Sequence, residues 1–124
     1  MMKYKIRYLK LNYKKVISNS IEDFSDYRRI VNNLTNRVKK YLFNNWDGFD
    51  YYDKENIKEN INLNYNDINY PTIDHKKSVF MSYKEGLSPE IVASIENLCI
   101  TKRSNNSSKG YKNEDVYINE KTQS

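Results

Sequence analysis

From Phe24 the apolar residues return with helical rhythm. Phe24, Tyr27, Val31, Leu34, Val38 and Tyr41 are separated by 3, 4, 3, 4 and 3 positions, a single stripe on one face of a helix spanning residues 21–45. Ser20 is placed to cap that helix, and Glu22 and Asp23 suit the positive end of its dipole. Arg28, Arg29, Arg37, Lys39 and Lys40 fall largely off the stripe. Such a face either packs on its own domain or forms a dimer seam. Its length of about three heptads is near the lower limit for a coiled coil, so packing within the domain is the stronger expectation.

Other rhythms are shorter. In residues 3–13, Tyr4, Ile6 and Tyr8 alternate with Lys3, Lys5 and Arg7, which suggests a strand with one basic face. The alternation shifts phase at Leu9, so a helix stays open there. Asp47-Gly48 marks a turn, and 48–52 reads as a short aromatic strand. Residues 53–69 are Asn-rich and poorly periodic, which reads as loop with one short turn of helix. "TIDHKKSVF" reads as a strand, "EGLSPE" as a turn and a helix start with Ser88 as cap and Pro89 in the first turn, and "NLCITK" as a second strand. "RSNNSSKG" then begins a helix at Ser104 that meets Gly110 as a stop, and the tail from Asn119 is polar and expected to fray. The expected organisation is one small α+β domain: a strand and helix over 1–46, a core over 47–112 and a polar tail over 113–124.

Composition narrows the partners. The 124 residues carry a net charge of +5, which favours polyanions such as nucleic acid. The abundance of Asn, Lys, Ile and Tyr resembles AT-rich coding bias, so no single Asn or Lys carries weight outside a pattern. The lone cysteine, Cys99, excludes an intramolecular disulfide and a cysteine-based structural zinc site, and it reads as a small buried hydrophobe. No apolar run approaches a membrane span, and the basic start lacks the apolar segment of a signal peptide. The expected compartment is a reducing cytoplasm, bacterial or that of an infected cell.

One constellation points to chemistry. His75 is the only histidine and directly follows Asp74. Asn97 stands 97 − 75 = 22 positions on, Asn106 stands 106 − 97 = 9 further, and Lys109 lies one helical turn beyond Asn106. Phosphodiester hydrolysis needs a base near neutral pH, a role that suits His. It also needs a divalent cation, for which Asp74 and Asn106 offer oxygen, and cations near the flanking phosphates, which Lys109, Lys102 and Arg103 can supply. With only two oxygen ligands and no thiolate, Mg²⁺ or Mn²⁺ is expected rather than Zn²⁺.

"DHKKSVF…IENLCITKRSNNSSKG" resembles the motif of the HNH endonucleases, ββα-metal nucleases that carry Asp-His on a first strand, Asn-Leu opening a second and N-x-x-K-G on the final helix. The resemblance covers residues 71–112, about a third of the chain, and "WDGFDYYDKENI" is less specifically similar to the segment before the motif in phage-type members. It implies a ββα-metal core preceded by the long helix, with DNA as substrate. It implies His75 as general base, Asp74 and Asn106 as metal ligands, Asn97 as a brace of the loop after the first strand, and Lys109 near a phosphate. Many members carry a zinc knuckle, but here Lys102 and Asn105 occupy the places of its second cysteine pair, and Tyr51 and Tyr52 lie near those of the first. A zinc-free core held by packing is therefore expected. The alternatives are a DNA-binding protein that keeps the scaffold without cutting, and an interaction protein, as monomer or homodimer, that uses the 21–45 helix.

Overall fold

The computed structural model describes residues 23–123, so the expected strand over 3–13 and the cap at Ser20 lie outside the described residues. Helix α1 runs Phe24–Asn44, and its cap is Asp23, whose carboxylate accepts from the Asp26 amide at 3.0 Å. The apolar stripe does what helical spacing requires over its first turns. Tyr27 and Val31 form a buried cluster with Val92 and Ala93, and Phe24, Ile30, Leu34, Val79, Tyr83 and Leu87 close around it. Tyr27 meets the usual demand on a core tyrosine by donating its hydroxyl to the Leu87 carbonyl at 2.7 Å. Over these turns the stripe therefore packs against the chain's own short helices. At its far end Tyr41 is 55% exposed, while Leu42 turns partly inward. An alternation of 3 and 4 averages 3.5, and a 3.6-residue helix drifts by about 20° per heptad against it.

Strand β1 (Pro71–His75) pairs antiparallel with β2 (Leu98–Lys102), Pro71 opposite Lys102 and His75 opposite Leu98. The segment between them is mostly short helix. Helix α2 (Val79–Lys84) begins where the Ser78 hydroxyl accepts from the Met81 amide at 3.0 Å. Helix α3 (Pro89–Val92) has Ser88 and Pro89 at its start, and a 3₁₀ turn (Ile95–Asn97) leads into β2. The expected strand through "TIDHKKSVF" thus ends at His75. Val79 and Phe80, strand-like in isolation, are helical because the Ser78 cap starts α2 there and Val79 packs against the α1 cluster.

Helix α4 (Arg103–Lys109) follows β2 without a linker and packs on both strands, which completes a strand–strand–helix unit. It stops at Gly110, whose φ of +58° few other residues tolerate. The expected polar tail is instead helix α5 (Glu114–Gln123). Its one buried residue is Tyr117, edge-on against Tyr52 with ring centroids 5.1 Å apart, and Glu114 accepts from the Tyr51 hydroxyl at 2.7 Å. Residues 48–57 form a tight loop rather than the expected aromatic strand, with one bridge, Phe49 to Asn56, and the amides of Asp50 and Ile57 returning to Glu55 and Gly48 at 2.8 Å. The Asn-rich stretch beyond it is a series of side-chain-closed turns around a 3₁₀ helix (Lys58–Asn62). None of the described helices is long and apolar enough to cross a membrane.

Candidate active site

The end of β1, the start of α2 and the last turn of α4 face the first turns of α1 across a cleft of about 780 Å³. Ile73, Asp74 and His75 line one side, Asn106 and Lys109 another, and Phe24, Arg28 and Asn32 of α1 a third. A smaller cleft of about 430 Å³, lined by Trp46, Phe49, Tyr51 and β2 residues, contains none of Asp74, His75 and Asn106.

Asp74 and His75 are strand neighbours, and their side chains turn to different partners, as alternation demands. The imidazole Nε2 of His75 lies 3.0 Å from the Thr35 hydroxyl on α1. Burial, and secondarily the positive charge of Lys109, hold the ring well below the usual histidine range, at about 4. At neutral pH it is therefore uncharged and has a lone pair to offer. Asp74 is buried at 5% exposure and accepts from the Tyr52 hydroxyl at 2.5 Å. Lys109 sits 3.3 Å from the same carboxylate and donates to the His75 carbonyl at 2.8 Å. Burial nonetheless raises the Asp74 carboxyl above its ordinary value, against the pull of Lys109 and Tyr52. Asn106 donates through Nδ2 to the Thr72 hydroxyl at 3.0 Å and the Ile73 carbonyl at 3.1 Å. That ties its amide end to β1 and makes Oδ1 the end available to a ligand.

Asn97 lies behind this cleft. Its Oδ1 accepts from the Lys77 amide at 2.8 Å, and its Nδ2 donates to the Lys77 carbonyl at 3.1 Å and the Val92 carbonyl at 2.8 Å. Its own carbonyl accepts from the Lys76 amide at 2.7 Å. One side chain and its backbone thus tie down the segment that leaves β1, with no cation involved.

The expected phosphate-binding cations are placed differently. Lys109 is 1% exposed and engaged with Asp74, because α4 packs its face onto β1. Lys102 is paired with Asp53 at 2.8 Å and Glu55 at 2.6 Å, and those partners raise its ammonium against the opposing effect of burial. Arg103 donates to the Tyr65 carbonyl. Among the described residues, the exposed cation that lines the cleft is Arg28. Sequence reasoning missed Arg28, Thr35 and Tyr52 as members of the site. The available signal was weak: Arg28, Asn32 and Thr35 recur at intervals of 4 and 3 beside the apolar stripe.

A second polar cluster holds the opposite face of α4. Asp50 accepts from the Lys102 amide at 2.7 Å, the Thr101 hydroxyl at 2.8 Å and Asn105 Nδ2 at 3.1 Å. Asn105 also reaches Asp53 at 3.0 Å, and its Oδ1 accepts from Tyr117 and Lys121, each at 3.1 Å. Lys102 and Asn105, the places resembling a second cysteine pair, therefore meet Asp50 and Asp53, which have the same spacing. Tyr51 and Tyr52, expected nearest to the first pair, lie between them. Ion pairs and hydrogen bonds, rather than packing alone, join the loop to α4 here. No protein-family model, curated protein or solved structure matches this chain.

Proposed function

We propose that this chain is a metal-dependent endonuclease that hydrolyses DNA phosphodiester bonds with His75 as general base. The observation that carries the reading is the meeting, in one cleft, of an uncharged imidazole, a buried carboxylate and a carboxamide on the helix after the second strand. The imidazole can take a proton from water, and the oxygen pair can face a cation. Arg28 at the cleft wall and the net charge of +5 suit a polyanionic substrate. A reducing cytoplasm, bacterial or of an infected cell, fits the buried, unpaired Cys99.

Asp74 and Asn106 would hold the metal. Among the described residues no three of His, Cys, Asp and Glu stand together as a metal cage. One carboxylate and one carboxamide form the sparse oxygen set that Mg²⁺ or Mn²⁺ completes with water, and no structural zinc is part of the reading. When bound, the metal supplies polarisation of the phosphate and stabilisation of the leaving oxygen. Lys109 would have to yield part of its hold on Asp74 for this.

That last contact favours a second reading, a DNA-binding protein on the same scaffold that does not cut. A plasmid nicking assay decides between them. The expected outcome is nicking with Mg²⁺ or Mn²⁺, none in EDTA, and a rate for folded His75→Ala lower by about 10²–10⁴-fold. DNA binding without nicking under any divalent metal would favour the second reading, and full activity in EDTA would remove the metal.

A further inference from the structure

The long helix α1 lies outside the strand–strand–helix unit, yet it supplies the partner that the His75 ring meets. Thr35 is 6% exposed, one turn beyond Val31 on the buried face. Among the described residues its hydroxyl has two hydrogen-bonding neighbours: the Val31 carbonyl, to which it donates at 2.8 Å, and His75 Nε2 at 3.0 Å. A hydroxyl carries one hydrogen and two lone pairs, and a carbonyl can only accept. If the hydroxyl hydrogen went to Nε2, the Val31 contact would hold no hydrogen at all. If it goes to Val31, the oxygen accepts from an Nε2–H, and both contacts are hydrogen bonds. The buried group is then fully satisfied, which is the arrangement low-dielectric surroundings select.

We infer that Thr35 is a positioning residue that fixes His75 as the Nε2–H tautomer, leaving Nδ1 as the nitrogen that carries the lone pair. The assignment of Nδ1 as the catalytic base rests on the nuclease reading, whereas the tautomer does not. Through this contact α1 becomes part of the site.

Because the chain has a single histidine, ¹⁵N-labelled histidine gives one pair of ring nitrogen signals, free of overlap. A long-range ¹H–¹⁵N spectrum of the metal-free protein near neutral pH should show Nε2 protonated and Nδ1 bare. Thr35→Val, close in shape, should lose that fixed pattern and give a tautomer mixture, and Thr35→Ser should restore it. The same pair read in cleavage should show kcat lower by about 10–100-fold for Thr35→Val, little change in KM, and recovery with Thr35→Ser. An Nδ1–H tautomer in the parent, or an unchanged pattern in Thr35→Val, would overturn the inference. If Thr35→Val does not fold, the parent spectrum alone decides. A parent that shows the expected tautomer but never cleaves DNA would sink the nuclease reading and leave the Thr35 contact standing.

Discussion

Asn105 and Asn106 are neighbours on α4 and serve opposite ends of the molecule's polar chemistry. Asn105 enters the cluster around Asp50, and Asn106 faces the cleft with Asp74 and His75. Both clusters centre on a buried aspartate, but they hold it differently. Asp50 takes three of its bonds from backbone amides, those of Tyr52 and Asp53 in its own loop and Lys102 at the end of β2. Amides of the main chain are fixed by the fold and cannot swing away. Beside the amide of His75, Asp74 has side-chain partners, a tyrosine hydroxyl and a lysine ammonium, on rotatable stems. The first arrangement locks the loop 48–57 to α4. The second leaves a carboxylate whose partners can be exchanged for a ligand. The difference teaches where structure ends and chemistry begins in a small polar protein.

The comparison breaks most visibly if Asp50 is truncated. Asp50→Ala would strand the Tyr52, Asp53 and Lys102 amides together with the Thr101 hydroxyl in a buried site. Each stranded donor costs about 1–3 kcal/mol, so the four together should cost at least roughly 4 kcal/mol in chemical denaturation, a large part of the stability of a small domain. A loss under about 1 kcal/mol would mean that the loop is held by something else.

Acid should expose the cleft's side of the contrast. An unfolded His75 takes up a proton as pH falls through about 6.5, but the half-buried ring of the folded chain resists until about 4. Between those values the unfolded state binds more protons, so stability is complete above pH 6.5 and falls as pH falls, by roughly 2–3 kcal/mol. Asp74 acts in the opposite sense, because its folded carboxyl is raised and favours the protonated form. His75→Asn should therefore flatten the parent's acid loss in metal-free buffer. Parallel stability curves for parent and variant would show that the ring is not held uncharged.

How much of this was legible depends on whether the cause was local. Helix α1 was readable because its core face repeats along the chain, and α4 because Gly110 stops it. Ser88-Pro89 announced α3 for the same kind of reason. Helix α2 was hidden, since Val79 and Phe80 look like strand residues until Ser78 caps a helix in front of them. Helix α5 was hidden because one buried residue, Tyr117, makes no pattern. Within the cleft, Asp74, His75 and Asn106 were legible as an ordered set. Their partners were not: Thr35 and Tyr52 stand 40 and 22 positions away from the groups they bond, and no local rule links them. The burial of Lys109 was the least readable feature, because an ammonium is seldom buried without a carboxylate that only the fold can bring to it.

Asn97 stands between the two clusters in character, a side chain with backbone partners behind a chemical site. Asn97→Ala should cost about 1–3 kcal/mol, since the Lys77 amide loses its acceptor and two carbonyls lose their donor. Any nicking activity should fall with the lowered melting temperature, as the segment after His75 loosens. An inactive variant that melts like the parent would move Asn97 from the scaffold into the chemistry.

Lys102 offers the smallest and most discriminating effect. Its stem is packed, and its ammonium meets Asp53 and Glu55 at the rim, where Glu55 is 57% exposed and water screens the pair. The pair with Glu55 is of the solvent-screened kind that contributes about 0–1 kcal/mol and weakens in salt, while the pair with Asp53 is more sheltered. Lys102→Met keeps the stem, so it should lower the melting temperature by only a few degrees, a difference that narrows in about 1 M NaCl. The same variant tests where the positive charge is used. A lysine that neutralises a phosphate contributes about 0.9 to the slope of log K against log salt, and its removal flattens the slope by about that much. With Lys102 committed to two carboxylates, Lys102→Met should leave the slope for DNA unchanged, whereas Arg28→Met at the cleft wall should flatten it. A flattened slope for Lys102→Met would show that the ammonium leaves Asp53 and Glu55 for DNA, and that the loop-side cluster, so fixed at Asp50, is exchangeable at its rim.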